Sequence, residues 1–107
     1  MDDHEYVSLV SREVAQQLRA GTKVGEHTAF KVELSAPRLD EQRDYRLAVE
    51  VETLEHPDVT FRFDRVILRA NNREIEPETA AIIFCSNLIE DLHFHKKPVQ
   101  PGTLVEL

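Results

Sequence analysis

This chain is poor in the residues on which several function classes depend. It holds one cysteine in 107 residues, so no internal disulfide can form, and a reducing compartment suits it. Its three glycines, Gly21, Gly25 and Gly102, stand far apart. None builds the glycine-rich loop that cradles a phosphate, which excludes the usual nucleotide loops. Basic residues are the minority, 13 Lys and Arg against 20 Asp and Glu, for a net charge of −7. A phosphate-backbone binder needs the opposite balance, so no nucleic-acid partner is expected. No apolar run approaches the roughly 18 residues of a membrane-spanning helix. The opening Met1-Asp2-Asp3-His4-Glu5 is acidic where a secretory leader is basic. The expected address is the cytoplasm, with no membrane partner.

What is present is enough to fold. Hydrophobic residues make up 41% of the chain, and folding at this length removes about two-thirds of the unfolded surface from water. A single α+β domain over residues 1–107 therefore needs no metal, disulfide or cofactor to hold it together. No internal repeat or linker divides it.

Hydrophobic periodicity places the elements. Val7, Val10, Val14 and Leu18 recur at three- and four-residue steps, the pattern of an amphipathic helix. Asp2 and Glu5 have capping-box spacing, and Arg19-Ala20-Gly21 supplies a stop. After Gly25 the period becomes two. Phe30, Val32 and Leu34 alternate with Lys31, Glu33 and Ser35, which predicts a half-buried strand ended by Pro37. Residues 36–43 are charged and unpatterned, as in an exposed connection.

The clearest signal is a long hairpin. Tyr45, Leu47, Val49, Val51 and Thr53 point one way, and Arg46, Ala48, Glu50 and Glu52 the other. Pairing Thr53 with Val59, Val51 with Phe61 and Val49 with Phe63 sets Glu50 across from Arg62. A one-residue bulge at Asp64-Arg65 then brings Leu47 to Val66 and Tyr45 to Leu68, with all apolar residues on one face. Leu54 to Asp58 forms the connecting loop. Asn71-Asn72 reads as a second turn, which sets Leu68 opposite Ile75 and Arg69 opposite Glu74.

Glu76-Pro77-Glu78 has the form of a helix entry, with proline at the first helical position. Ala81, Phe84, Cys85, Leu88 and Leu92 make one face of a helix over about residues 77–92; the run 80–85 also fits a buried strand. A turn-rich link over residues 96–102 leads to a last strand, Thr103 to Leu107. The fold expected is an antiparallel sheet of four to five strands with the two helices packed on one face.

Ligand-like chemistry is confined to Asp91-Leu92-His93-Phe94-His95. On a strand, Asp91, His93 and His95 share a face, the raw material of a two-histidine, one-carboxylate site. Three ligands along one strand diverge, however, and a helix running through residue 92 removes Asp91 from the set. No metal is therefore expected on His93, His95 and Asp91. Cys85 lies in an apolar run without the positive neighbour a reactive thiolate needs. Ser86-Asn87 lacks the glycines of a nucleophile elbow. No catalytic residue emerges, and the chain is not expected to be an enzyme.

The remaining signal is apolar excess. Ile82, Ile83 and Ile89 extend the second helix beyond the stripe it needs, which suggests burial on a further side or a partner. The leading expectation is a non-enzymatic protein-binding protein, an adaptor, small chaperone or oligomerising subunit. It would bind a protein partner or itself through Val7, Val10, Val14, Ile82, Ile83 and Ile89, and through an open edge at Thr103 to Leu107. Long antiparallel strands, then the Pro77 helix, then the tail with Pro98 and Pro101, resemble the core of SecB-type export chaperones. That resemblance implies binding of unfolded clients, although the aromatic Pro-Tyr motif of that family is missing around Phe84-Cys85-Ser86. Other classes are a small metal-dependent enzyme or sensor using His93 and His95, and an acidic inhibitor mimicking nucleic acid. The scattered acids and modest charge weigh against the inhibitor.

Overall fold

The computed structural model describes residues 1–70, 75–95 and 97–107. In chain order the elements are α1 (Asp3–Gln17), β1 (Lys23–Val24), β2 (His27–Leu34), β3 (Arg38–Leu39), β4 (Tyr45–Thr53), β5 (His56–Leu68), α2 (Pro77–Phe94) and β6 (Leu104–Glu106). The strands form one sheet in the order β1-β2-β4-β5-β6, with β3 also paired to β4. It is mixed, because β6 runs parallel to β5 whereas the other pairs are antiparallel. The Asn71-Asn72 turn and the Arg69–Glu74 pairing it would set lie outside the described residues.

Asp2 caps α1 as its spacing predicts, its carboxylate accepting the Glu5 N–H at 2.8 Å. The helix stops at Gln17, and Gly21 takes its positive φ just beyond. Gly25 carries a heavier constraint. It turns β1 into β2 at φ +63°, and an added Cβ would stand 3.0 Å from the Ile89 side chain of α2. Both the left-handed backbone and the close approach of the helix call for glycine.

Two readings of the edge strands are corrected. Phe30 does not face the core: a bulge between Ala29 and Lys31 puts Ala29 inside and leaves Phe30 41% exposed. Residues 36–43 are not wholly irregular, since Arg38 and Leu39 pair with Arg46 and Tyr45. Asp40 then shapes the turn into β4 by accepting the N–H groups of Gln42 and Asp44, each at 2.9 Å.

The hairpin register holds through its centre, where Val49, Glu50 and Val51 face Phe63, Arg62 and Phe61, and again at Tyr45–Leu68. Its ends differ from expectation. Leu47 faces Arg65, not Val66, because the shift falls between Tyr45 and Arg46, two residues later on β5. Arg65 can hold that inward position because its guanidinium lies over the Phe63 ring, 4.4 Å from the centroid, and reaches Asp91 of α2 at 2.8 Å. Thr53 pairs with His56, not Val59. The strands are thus joined by a tight turn at Leu54-Glu55, and the extra residues are absorbed in an irregularity after it.

Residues 80–85 are helical. Pro77 occupies the first turn of α2, and Ala81, Phe84, Cys85, Leu88 and Leu92 are buried. The two helices pack on each other and on β5, closing a core that includes Val10, Val14, Leu47, Val49, Val51, Phe61 and Phe63. Phe84 meets Phe63 edge to face, centroids 5.0 Å apart. At the N-terminal end of α2, the Tyr6 hydroxyl donates to the Ile75 carbonyl at 2.8 Å. Burial, with a contribution from Glu76, raises that phenol above its ordinary pKa.

The other face of the sheet is charged. Asp64 sits among Arg38 (2.6 Å), Arg46 (3.1 Å) and Arg62 (3.6 Å). Arg62 also lies near Glu50 and Glu106, and Arg46 near Asp40. This interlocked layer leaves one face of the sheet for the helices and the other for water. Among the described residues no helix is long and apolar enough to cross a membrane.

Candidate interaction surface

The outward side of α2 is the least charged surface the helix offers. In a chain with 31% charged residues, positions 79 to 89 carry none. The inner stripe of those residues is committed to the core, so helical periodicity turns Thr79, Ile82, Ile83, Ser86 and Asn87 outward, and all five are exposed. Ile82 is 55% and Ile83 45% exposed, between Glu78 and Glu90 on the same helix. An apolar centre with small polar neighbours and charges only at its ends matches the composition of interface centres.

The six expected interface residues separate into two groups. Val7, Val10 and Val14 are buried between α1 and the rest of the core. They cannot present a surface while the domain is folded, because the face that looked available to a partner is covered by α2 and β5. Ile89 is partly buried against the core and Gly25. Ile82 and Ile83 alone among the six are substantially open. The open edge expected at the C-terminal strand is β6, whose Leu104 is 54% exposed. Its other edge pairs with Thr60, Phe61 and Arg62 of β5.

The Asp91, His93 and His95 set is dispersed. Because the helix continues to Phe94, Asp91 turns to Arg65, and His93 lies 3.8 Å from Glu26. His95 follows the last turn, its ring edge-on to Phe61 with centroids 5.9 Å apart. Among the described residues no three His, Cys, Asp or Glu side chains gather as metal ligands would. Beside His95 a groove of about 370 Å³ runs along Val99, Thr103 and Leu104, open and of mixed character. Cys85 is buried, and that burial pushes its thiol up to about 11. Its side chain packs within the core.

Two features were not anticipated from the sequence. The Asp64 centre joins residues from β3, β4 and β5, and only tertiary pairing brings Arg38 to it. Partial burial alone would raise the Asp64 carboxyl, but hydrogen bonds from Arg38 and Arg46 outweigh this and hold it below the ordinary carboxylate value. The second is the outer edge of β2, which has no strand beside it past Ala29 among the described residues. The bulge that ends its protected stretch has no sequence signature, because Phe30 continues the apolar alternation of Val32 and Leu34. No family model matches the chain, and neither a curated protein nor a solved structure does.

Proposed function

We propose that this protein is a non-enzymatic interaction domain that engages an uncharged, apolar patch on a protein partner through the outward side of α2. The observation that carries this reading is the adjacent pair Ile82 and Ile83, open to solvent in a helix segment without charge, while the opposite stripe of that helix already fills the core. Because Ile82 and Ile83 are about half exposed, burying the remainder would return roughly half of the 1.5–3 kcal/mol that full burial of each side chain is worth. A partner contact of this kind recovers part of that. The flanking Thr79, Ser86 and Asn87 are small and polar, so they form a rim without the cost of stripping water from charges.

The test is photo-cross-linking from a benzophenone side chain placed at position 83, with the same group at position 50 on the charged face as the control. A discrete adduct at 83, absent at 50 and abolished by Ile82→Glu, supports the reading. Equal and diffuse labelling from both positions overturns it.

A further inference from the structure

The outer edge of β2 has a self-matching pattern. β1 covers this edge opposite His27 and Thr28, and the preceding turn takes Ala29, whose carbonyl accepts from Gly21 at 2.6 Å and whose N–H donates to Thr22 at 3.0 Å. Beyond Ala29 no described strand lies on that side. The Ser35 N–H donates to the Ala48 carbonyl on β4 at 2.9 Å. By antiparallel alternation the N–H and C=O groups of Leu34 and Val32 therefore point away from β4, toward the open edge. Such an edge is a template for another strand unless something blocks it.

The side chains on this stretch specify which strand fits. Lys31 and Glu33 lie on the charged face, 51% and 61% exposed. Val32 and Leu34 are half-buried on the other side, and Phe30 is 41% exposed. Consider a second β2 laid antiparallel with the two-fold axis at Val32. Each Lys31 then stands across from Glu33 of the second copy, and Val32 meets its own counterpart. Opposite charges across a strand pair attract, and apolar pairs add to them. Sliding the register by one residue sets Lys31 against an aliphatic side chain and loses both matches.

The isolated chain also leaves an electrostatic deficit that this pairing relieves. Glu33 faces Glu50 directly across from β4, a like-charge pair. Its compensation is Lys31 at 3.6 Å, but that ammonium is divided, lying 3.7 Å from Glu52 as well. A second Lys31 from across the edge supplies the missing positive charge to Glu33. In any other register, Lys31 acts as the edge-guarding lysine that discourages pairing.

We propose that the protein forms an isologous dimer in which β2 pairs antiparallel with β2 of a second copy about Val32, joining the two sheets into one. This goes beyond the interaction reading by naming a partner, the chain itself, at a surface separate from Ile82 and Ile83. The paired stretch, Phe30 to Leu34, is short, so the contact belongs with the small, reversible interfaces.

Analytical ultracentrifugation of the full chain tests it, with circular dichroism confirming that each variant stays folded. The wild type is expected to dimerise with concentration, and less so at high salt. Lys31→Glu and Glu33→Lys should each weaken the dimer roughly tenfold or more, because the two-fold axis counts each change twice. Mixed one to one, these two variants should form a heterodimer, since one edge is then wholly acidic and the other wholly basic. The double variant Lys31→Glu/Glu33→Lys should dimerise like the wild type. Ile83→Glu should leave the dimer intact. A wild type that stays monomeric up to about 1 mM overturns the proposal, as does a dimer insensitive to Lys31→Glu. A dimer lost through Ile83→Glu moves self-association to α2. The cross-linking result at position 83 stands apart from all of these, so the two readings fail separately.

Discussion

Arg65 of β5 and Asp91 of α2 form a 2.8 Å ion pair at the rim of the core, and the same guanidinium covers the Phe63 ring. One side chain thus ties the helix to the sheet and closes the aromatic contact beneath. Phe63 in turn meets Phe84 of α2. The helix is held by this inward line and not by its outward isoleucines, and the two sides of α2 should respond differently to substitution.

Phe84→Ala should destabilise the domain by about 3–5 kcal/mol, through lost burial and a cavity against Phe63. Ile83→Ser, on the open side, should stay within about 0.5 kcal/mol of the wild type. Urea unfolding of both variants measures the contrast. Comparable losses would mean that Ile83 contributes to the fold.

The central register of the hairpin makes a neighbouring pair of residues equally informative. Val51 is fully buried opposite Phe61, whereas Glu50 stands on the charged face opposite Arg62. Val51→Asp should unfold the domain, since an unpaired carboxylate would replace a core methyl pair. Glu50→Gln should cost at most about 1 kcal/mol, the scale of partly exposed ion pairs. Thermal melts of the two proteins decide the matter.

The Asp64 centre makes a pH prediction with a definite sign. Its carboxyl is lowered in the folded chain, so its contribution is fully present above the unfolded carboxylate pKa, about 4. That contribution is lost as pH falls through the lower folded value. Asp64→Asn should therefore be less stable at neutral pH and should lose less stability on acidification than the wild type. Urea midpoints between pH 7 and pH 3 give both curves; parallel acid limbs would contradict the assignment.

Cys85 should be chemically quiet. With its thiol pushed up to about 11 and its side chain in the core, it should react with a disulfide reagent at pH 8 only as the chain unfolds. Reaction followed across a urea titration should track the unfolding transition. Rapid labelling in native buffer would show that α2 opens locally.

The sequence was most legible where one face is apolar and the other charged, because burial then permits a single register. The middle of the β4–β5 hairpin and the inner stripe of α2 are such places. It was least legible where a side chain is neither clearly inside nor outside. Arg65 occupies an inward position through its stacking on Phe63, which displaced the expected bulge by two residues. Phe30 looked like a core residue until the Ala29 bulge turned it out. Val7, Val10 and Val14 were correctly seen as an apolar stripe, but a stripe does not say what covers it; here α2 and β5 do. The candidate surfaces show the same limit. Ile82 and Ile83 stood out as apolar excess, whereas the free β2 edge depends on which strands meet, a property of the whole sheet.

The parallel strand β6 has a consequence for how the chain reaches its final form. Its partners Thr60, Phe61 and Arg62 lie more than forty residues earlier than Leu104, Val105 and Glu106, with all of α2 between them. The β4–β5 hairpin closes through local contacts, whereas β6 reaches its place on the β5 edge only by a return across the whole length of α2. Non-local pairings of this kind form late and carry the largest loop-closure cost. With only three residues in the strand, β6 is the natural last unit to arrive and first to leave. Its Leu107 amide, bonded to the Arg62 carbonyl at 2.8 Å, should exchange with solvent well before the amides of β4, marking the end of the assembly sequence from within the native state.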